Sequence, residues 1–328
     1  HSAENKDLED QERKMENTQI MMEEKLGFIE VLKEAFTIPY KNPNFIIFTF
    51  LTSLPLFCFM LIYEIIFQQT LITTAKILTE APPFTCYNCF YGTPLGFIER
   101  LIKEVSYKFL LLVLFYWGIL YFLDLINTIA TVDSASVIYA GERTTSLKNM
   151  LQRFIKETRF KGPLITSIYA LLLSYLILSG LLSLAIYIYI APEYAFLMVL
   201  FGVLFIALLA KYLEWSSIWN MGTVISVLEE KQGDVALFVS SYLSRGSRQS
   251  GLLFVLVFFM WSLALRLSCF YLGWNEGGSG IVVTAVHISL VCLGNVMKWV
   301  VFVVYFYDCK KRSREKKILV EESKVVEA

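Results

Sequence analysis

The sequence predicts an all-α membrane protein of six transmembrane helices, with short amphipathic helices repeated on its cytosolic side. Three observations predict it. The 328 residues are 56% apolar and 18% charged, against about 45–50% and about 25% in ordinary soluble domains. The apolar residues gather in runs long enough to cross a bilayer, which takes about 20 residues. Basic residues collect in alternate connections, the pattern that orients a multi-pass chain.

The six runs fall at roughly 44–67, 107–130, 164–190, 195–219, 252–272 and 281–307. Residues 1–18 read as a charged, solvated tail with no apolar core, so no cleaved signal peptide is expected. The 141–162 connection carries Arg143, Lys148, Arg153, Lys156, Arg159 and Lys161, and the 229–250 connection carries Lys231, Arg245 and Arg248. The 310–328 tail is basic from Lys310 onward, whereas 191–194 and 273–280 carry no basic residue. Both termini are therefore expected in the cytosol, with a luminal cap at 68–106 and the membrane domain occupying 19–309.

The chain looks duplicated. TIATVDSASVIYAGERTTSLKNMLQRFIKETRFKGPL parallels WNMGTVISVLEEKQGDVALFVSSYLSRGSRQSGLL in layout. Each is a cytosolic extension of a span, an amphipathic helix, a basic turn with glycine and the next span. The first short helix, over 145–157, has Leu147, Met150, Leu151, Phe154 and Ile155 at helical spacing. The second, over 234–243, has Val235, Leu237, Phe238 and Tyr242. A third, over 20–37, sets Met22, Leu26, Ile29, Leu32 and Phe36 against Glu23, Glu30 and Glu34, and Pro39 and Pro43 are expected to end it. Such helices suit the membrane surface, or they merely connect spans.

Two carboxylates, Asp124 and Glu214, lie inside long apolar runs 90 positions apart. A charge there costs roughly 2.5–3.5 kcal/mol on insertion scales and marks an ion or substrate path or a buried pair. Both are expected near the cytosolic side. Asp124, Asn127, Thr128, Thr131 and Ser134 recur at spacings of three and four, which puts them on one helix face. Oxygen-rich groups in a stripe suit hydrated cations; interhelical hydrogen bonding is the equal alternative. Lys211 stands three residues before Glu214 and offers it a partner on its own helix. Arg266 and Lys298 are candidate counter-charges. Glu30 and Glu34, four apart, would form an acidic ring if several copies converged.

Other chemistry finds little support. Lys+Arg and Asp+Glu number 29 each, so net charge points to no nucleic acid. Only two histidines occur, His1 and His287, and no nucleophile elbow, phosphate-binding loop or dinucleotide fingerprint is present. No enzyme and no cofactor are expected. Cys86 and Cys89 in the luminal cap are the expected disulfide, and Cys309 beside the basic tail is a candidate for lipidation.

The span plan, SVIYAGERTTSLKNMLQRF and its counterpart WSSIWNMGTVISVLEEKQG resemble a plant-specific group of six-span membrane proteins, over about residues 20–310. That resemblance implies an endoplasmic-reticulum membrane, a place in plant defence and a homo-pentamer around a central pore passing calcium and other cations. A homo-oligomeric cation channel in contact with membrane lipids is the expectation. A lipid or solute transporter and a non-catalytic scaffold are the alternatives.

Overall fold

The computed structural model describes residues 27–79, 107–141, 146–157, 160–190, 195–229, 231–275 and 281–326. No strand occurs among them. Ten α-helices follow one another: α1 (Phe28–Lys41), α2 (Pro43–Thr79), α3 (Tyr107–Phe115), α4 (Tyr121–Tyr139), α5 (Leu147–Glu157), α6 (Lys161–Ile190), α7 (Ala195–Leu228), α8 (Gly233–Leu243), α9 (Arg248–Asn275) and α10 (Ile281–Val326). A single π-helical turn, Tyr116–Leu120, joins α3 and α4 into one rod. Six helical rods are long and apolar enough to cross a membrane: α2, α3–α4, α6, α7, α9 and α10. The fold expected of a six-span membrane protein is therefore met in length and composition.

Spans two, four and six run well past a bilayer. α10 has 46 residues, about 69 Å at 1.5 Å per residue. It is also the hub: 61% of its most apolar window is buried, against 6% for α7. Trp299 through Phe306 are all buried, so this stretch is enclosed on every side, as a helix apolar all round must be. Around it pack Val31, Ala35 and Ile38 of α1, Val132 and Ala135 of α4, Met221, Val224 and Ile225 of α7 and Phe254 of α9. The core thus sits at the end of the bundle where α1 and the tail of α10 lie. The outer halves of α6 and α7 stay exposed, with Leu176, Leu182, Phe196 and Val203 on the surface.

The duplicated layout holds in the order of elements. α4 is followed by α5 and α6, α7 by α8 and α9, and α5 and α8 have 11 residues each. A left-handed glycine follows the long helix in each copy: Gly141 at φ 79° and Gly233 at φ 58°, conformations that a side chain would strain. The Gly233 N–H is held by the Thr166 hydroxyl at 2.9 Å.

Two of the short helices bury their smaller side chains and leave the larger apolar ones exposed. In α1 the buried face is Val31, Ala35 and Ile38, while Ile29 and Phe36 are 75% and 58% exposed. In α8 the buried residues are Gly233, Ala236 and Ser240, and Val235, Phe238 and Tyr242 are exposed. Small side chains let α8 approach α7 closely: Ser240 donates to the Ile218 carbonyl at 2.7 Å. Both helices are apolar on two sides, and the side marked by hydrophobic spacing is the one the bundle leaves exposed. α5 follows the expectation more closely, with Met150 buried and Leu147 and Phe154 packed beside it. Pro39 lies inside α1 rather than ending it, and the break comes at Asn42, before Pro43 opens α2. A proline is tolerated at a first helical position, where its missing N–H has no intrahelical partner to lose. α2 continues to Thr79, so the first third of the expected cap is helix.

The tail of α10 is tied to α7 by charge. Lys310 donates to Glu229, and Lys231 pairs with the same carboxylate at 3.1 Å. Burial would raise the Glu229 carboxyl, but the bonds from Lys310 and Lys231 outweigh it and hold it below its ordinary 4.5. A lowered carboxylate contributes stability above its unfolded value, and that contribution is lost as pH falls through the folded value. Glu229→Gln is expected to lower the melting temperature in detergent by roughly 2 °C at pH 7, given about 1 kcal/mol for two half-exposed pairs. The difference from wild type should close as pH falls through the lowered folded value, which melting curves across pH measure directly.

Candidate functional site

Asp124 lies in α4, one turn beyond the π-helical turn. From Tyr139 it is about 22 Å along the helix at 1.5 Å per residue, near the middle of the rod and not close to an end. Its Oδ1 accepts a bond of 2.7 Å from Asn295 Nδ2 of α10. Lys298, one turn further along α10, acts on the carboxylate electrostatically and sits over the Trp299 ring at 4.4 Å. Asp124 Oδ2 has no hydrogen-bond partner among the described residues. The sequence thus named the counter-charge, Lys298, but not the direct partner.

The rest of the stripe is internal. Asn127, Thr128 and Thr131 are 0%, 2% and 0% exposed, enclosed within the chain's own bundle. Ser53 of α2 donates to Asn127 Oδ1 at 2.9 Å and Thr131 donates to the Asn127 carbonyl at 2.8 Å. Asn127 Nδ2 and Trp299 Nε1 are buried without hydrogen-bond partners among the described residues. Buried donors left like this cost about 1–3 kcal/mol each, so the seam between α2, α4 and α10 holds polar capacity that packing has not used.

Glu214 is surrounded differently. Lys211 reaches it at 2.7 Å on the same helix and Arg248 of α9 at 3.4 Å. Two cations on one carboxylate fasten α7 to the start of α9. Neither Arg266 nor Lys298 is its partner, and the matched sequence positions carry different surroundings.

Glu30 and Glu34 do not stand as an isolated acidic face. The Glu30 carboxylate accepts the Gly27 N–H at 2.7 Å and so caps α1. Glu34 faces the Tyr139 hydroxyl and Asp308. Both border a cleft of about 800 Å³ whose other side is the basic end of α10.

Glu64 escaped the sequence reading. It is 7% exposed in α2 and accepts a bond from Gln68 at 3.3 Å. His287, 6% exposed in α10, lies within electrostatic reach of Glu64 and of Arg266. The signal that exposes Asp124, a carboxylate inside an apolar run, was equally available for Glu64. Cys309, offered as a lipidation site, is 2% exposed and its sulfur lies 3.2 Å from the Ser247 hydroxyl, so its thiol is not presented at the surface. Cys86 and Cys89 lie outside the described residues. No group of three or more His, Cys, Asp or Glu side chains that could hold a metal ion occurs among those described.

The chain matches the family described as a domain of unknown function, DUF8558, over residues 15–323, and belongs to it. No curated protein and no solved structure matches it.

Proposed function

We propose that this DUF8558 protein is a homo-oligomeric, calcium-permeable cation channel of the endoplasmic-reticulum membrane, pentameric and with both termini in the cytosol. The observation that carries the reading is Asp124: a carboxylate inside an apolar rod, with Oδ1 bonded to Asn295 and Oδ2 without a hydrogen-bond partner among the described residues. A charge in that position costs several kcal/mol unless it serves a water-filled path or a pair, and Lys298 balances it only at a distance.

The buried stripe refines the reading. Asn127, Thr128 and Thr131 belong to a seam inside one subunit, where they hold α4 against α2 and α10. Asp124 supplies the negative potential and the stripe positions it. Purified protein in vesicles loaded with a calcium-sensitive dye should admit calcium on addition outside. Tight vesicles containing the oligomer and showing no calcium entry would overturn the proposal.

A second reading has its own observation. The charged cleft beside α1 is contained within a single chain, as a lipid or solute transporter would require.

A further inference from the structure

We propose that the charged cleft between α1 and the end of α10 binds the phosphate–ammonium headgroup of a phosphatidylethanolamine molecule from the surrounding bilayer. The cleft has two walls of opposite charge. Glu30 and Glu34 of α1 form one, and Lys311 and Arg314 of α10 the other. The Tyr139 and Tyr307 rings, with centroids 5.0 Å apart, lie between.

The charges available to a ligand are those not already committed. Lys310 is bonded to Glu229 and Asp308 to Arg312. Lys311 and Arg314 have no ion-pair partner among the described residues, and Glu315 stands beside them on α10; across the cleft Glu30, which caps α1 through one oxygen, and Glu34, which faces the Tyr139 hydroxyl, supply the negative charge. Two cations set among three carboxylates do not suit a polyanion, which the carboxylates would repel. They do not suit a bare cation either, which the basic wall would repel. A zwitterion satisfies both: its phosphate meets Lys311 and Arg314 through charge-assisted bonds, and its ammonium meets Glu30 and Glu34. Tyrosine faces accept the ammonium as well. A primary ammonium donates hydrogen bonds to carboxylates, which the quaternary ammonium of a choline head cannot.

The position favours a lipid over a soluble ligand. Tyr139 closes the apolar Tyr107–Tyr139 rod and Glu315 closes the Ile281–Glu315 span, so the cleft lies where apolar helix gives way to charge. Exposed Ile318 on α10 edges it with apolar surface, which suits the start of acyl chains. The inference does not depend on ion conduction.

The test uses the full chain, purified in detergent and titrated with phosphatidylethanolamine, phosphatidylcholine or phosphatidylglycerol of identical acyl chains. Native mass spectrometry counts the lipid bound. Wild type should hold phosphatidylethanolamine about tenfold more tightly than phosphatidylglycerol, equivalent to one charge-assisted contact. Glu30→Gln with Glu34→Gln, which keeps the α1 cap, should remove that preference or reverse it toward phosphatidylglycerol. Lys311→Gln with Arg314→Gln should weaken phosphatidylethanolamine by about tenfold or more. Equal binding of the three lipids by wild type, or an unchanged preference in both variants, would overturn the proposal. So would glycerophosphoethanolamine competing as tightly as the intact lipid, since the acyl chains would then contribute nothing. Calcium entry measured on the same variants separates this outcome from the channel reading.

Discussion

Replacing Gly251 with leucine is expected to leave almost no monodisperse protein in detergent. A Cβ at Gly251 would lie 2.3 Å from Ser217 Oγ and 2.9 Å from the Tyr305 hydroxyl. Ser217 can rotate. Tyr305 cannot easily yield, because it is 1% exposed and its hydroxyl donates to the Ser247 carbonyl at 3.0 Å. The site is where α7, α9 and α10 converge, and small residues at such crossings let helix backbones approach. Overpacking a filled core costs about 1–3 kcal/mol and sometimes more, a large part of a stability that is commonly 5–15 kcal/mol. Gly251→Ala should be milder, with a lowered melting temperature and intact assembly. Gly202→Leu is the control, since a Cβ there meets nothing within 4 Å. Size-exclusion profiles of the three variants decide the matter. A Gly251→Leu protein with the wild-type profile and melting temperature would show that this crossing is looser than its geometry implies.

Asp124→Asn is expected to reduce cation selectivity while leaving the fold in place. The amide retains the shape of the carboxylate and can still meet Asn295. What disappears is the charge. A unit charge acts on an ion about 4 Å away with about 4 kcal/mol at an effective dielectric near 20, and Lys298 offsets part of it. A tenfold change needs only about 1.4 kcal/mol, so the permeability of potassium relative to chloride should fall about tenfold or more. Lys298→Gln should act in the opposite direction and raise it. Opposite signs from two neighbouring, oppositely charged residues are hard to obtain from general destabilisation. If both substitutions lowered conductance equally, their common effect would be structural and Asp124 would leave the permeation path.

Much of the architecture was legible because length and hydropathy are coarse, robust signals. The six rods, the two 11-residue helices of the duplicated units and the shared face of Asp124, Asn127, Thr128 and Thr131 all follow from spacing. Orientation was less legible. In soluble proteins the apolar face of a helix turns inward, but in a membrane protein lipid-facing and bundle-facing sides are equally apolar. Ile29 and Phe36 of α1, and Val235 and Phe238 of α8, therefore mark a face the bundle leaves exposed, and Ala35, Ala236 and Ser240 make the contacts. Partners of polar groups were legible only when close in sequence. Lys211 beside Glu214 could be read from spacing; Asn295 on Asp124, Ser53 on Asn127 and Arg248 on Glu214 join residues from distant helices. The lipid cleft combines α1, the end of α4 and the tail of α10, and no local pattern connects those segments. Glu64 is a different case, since the apolar run around it carried the same signal as that around Asp124.

The central claim is cation conduction governed by the Asp124 charge. Its most direct test is the reversal potential of the purified oligomer in a planar bilayer under a potassium chloride gradient, wild type against Asp124→Asn. A wild-type reversal close to the potassium equilibrium potential, moving toward zero in Asp124→Asn at equal assembly, is the predicted result. The same reversal potential in both proteins, or no current from intact wild-type oligomers, would contradict it.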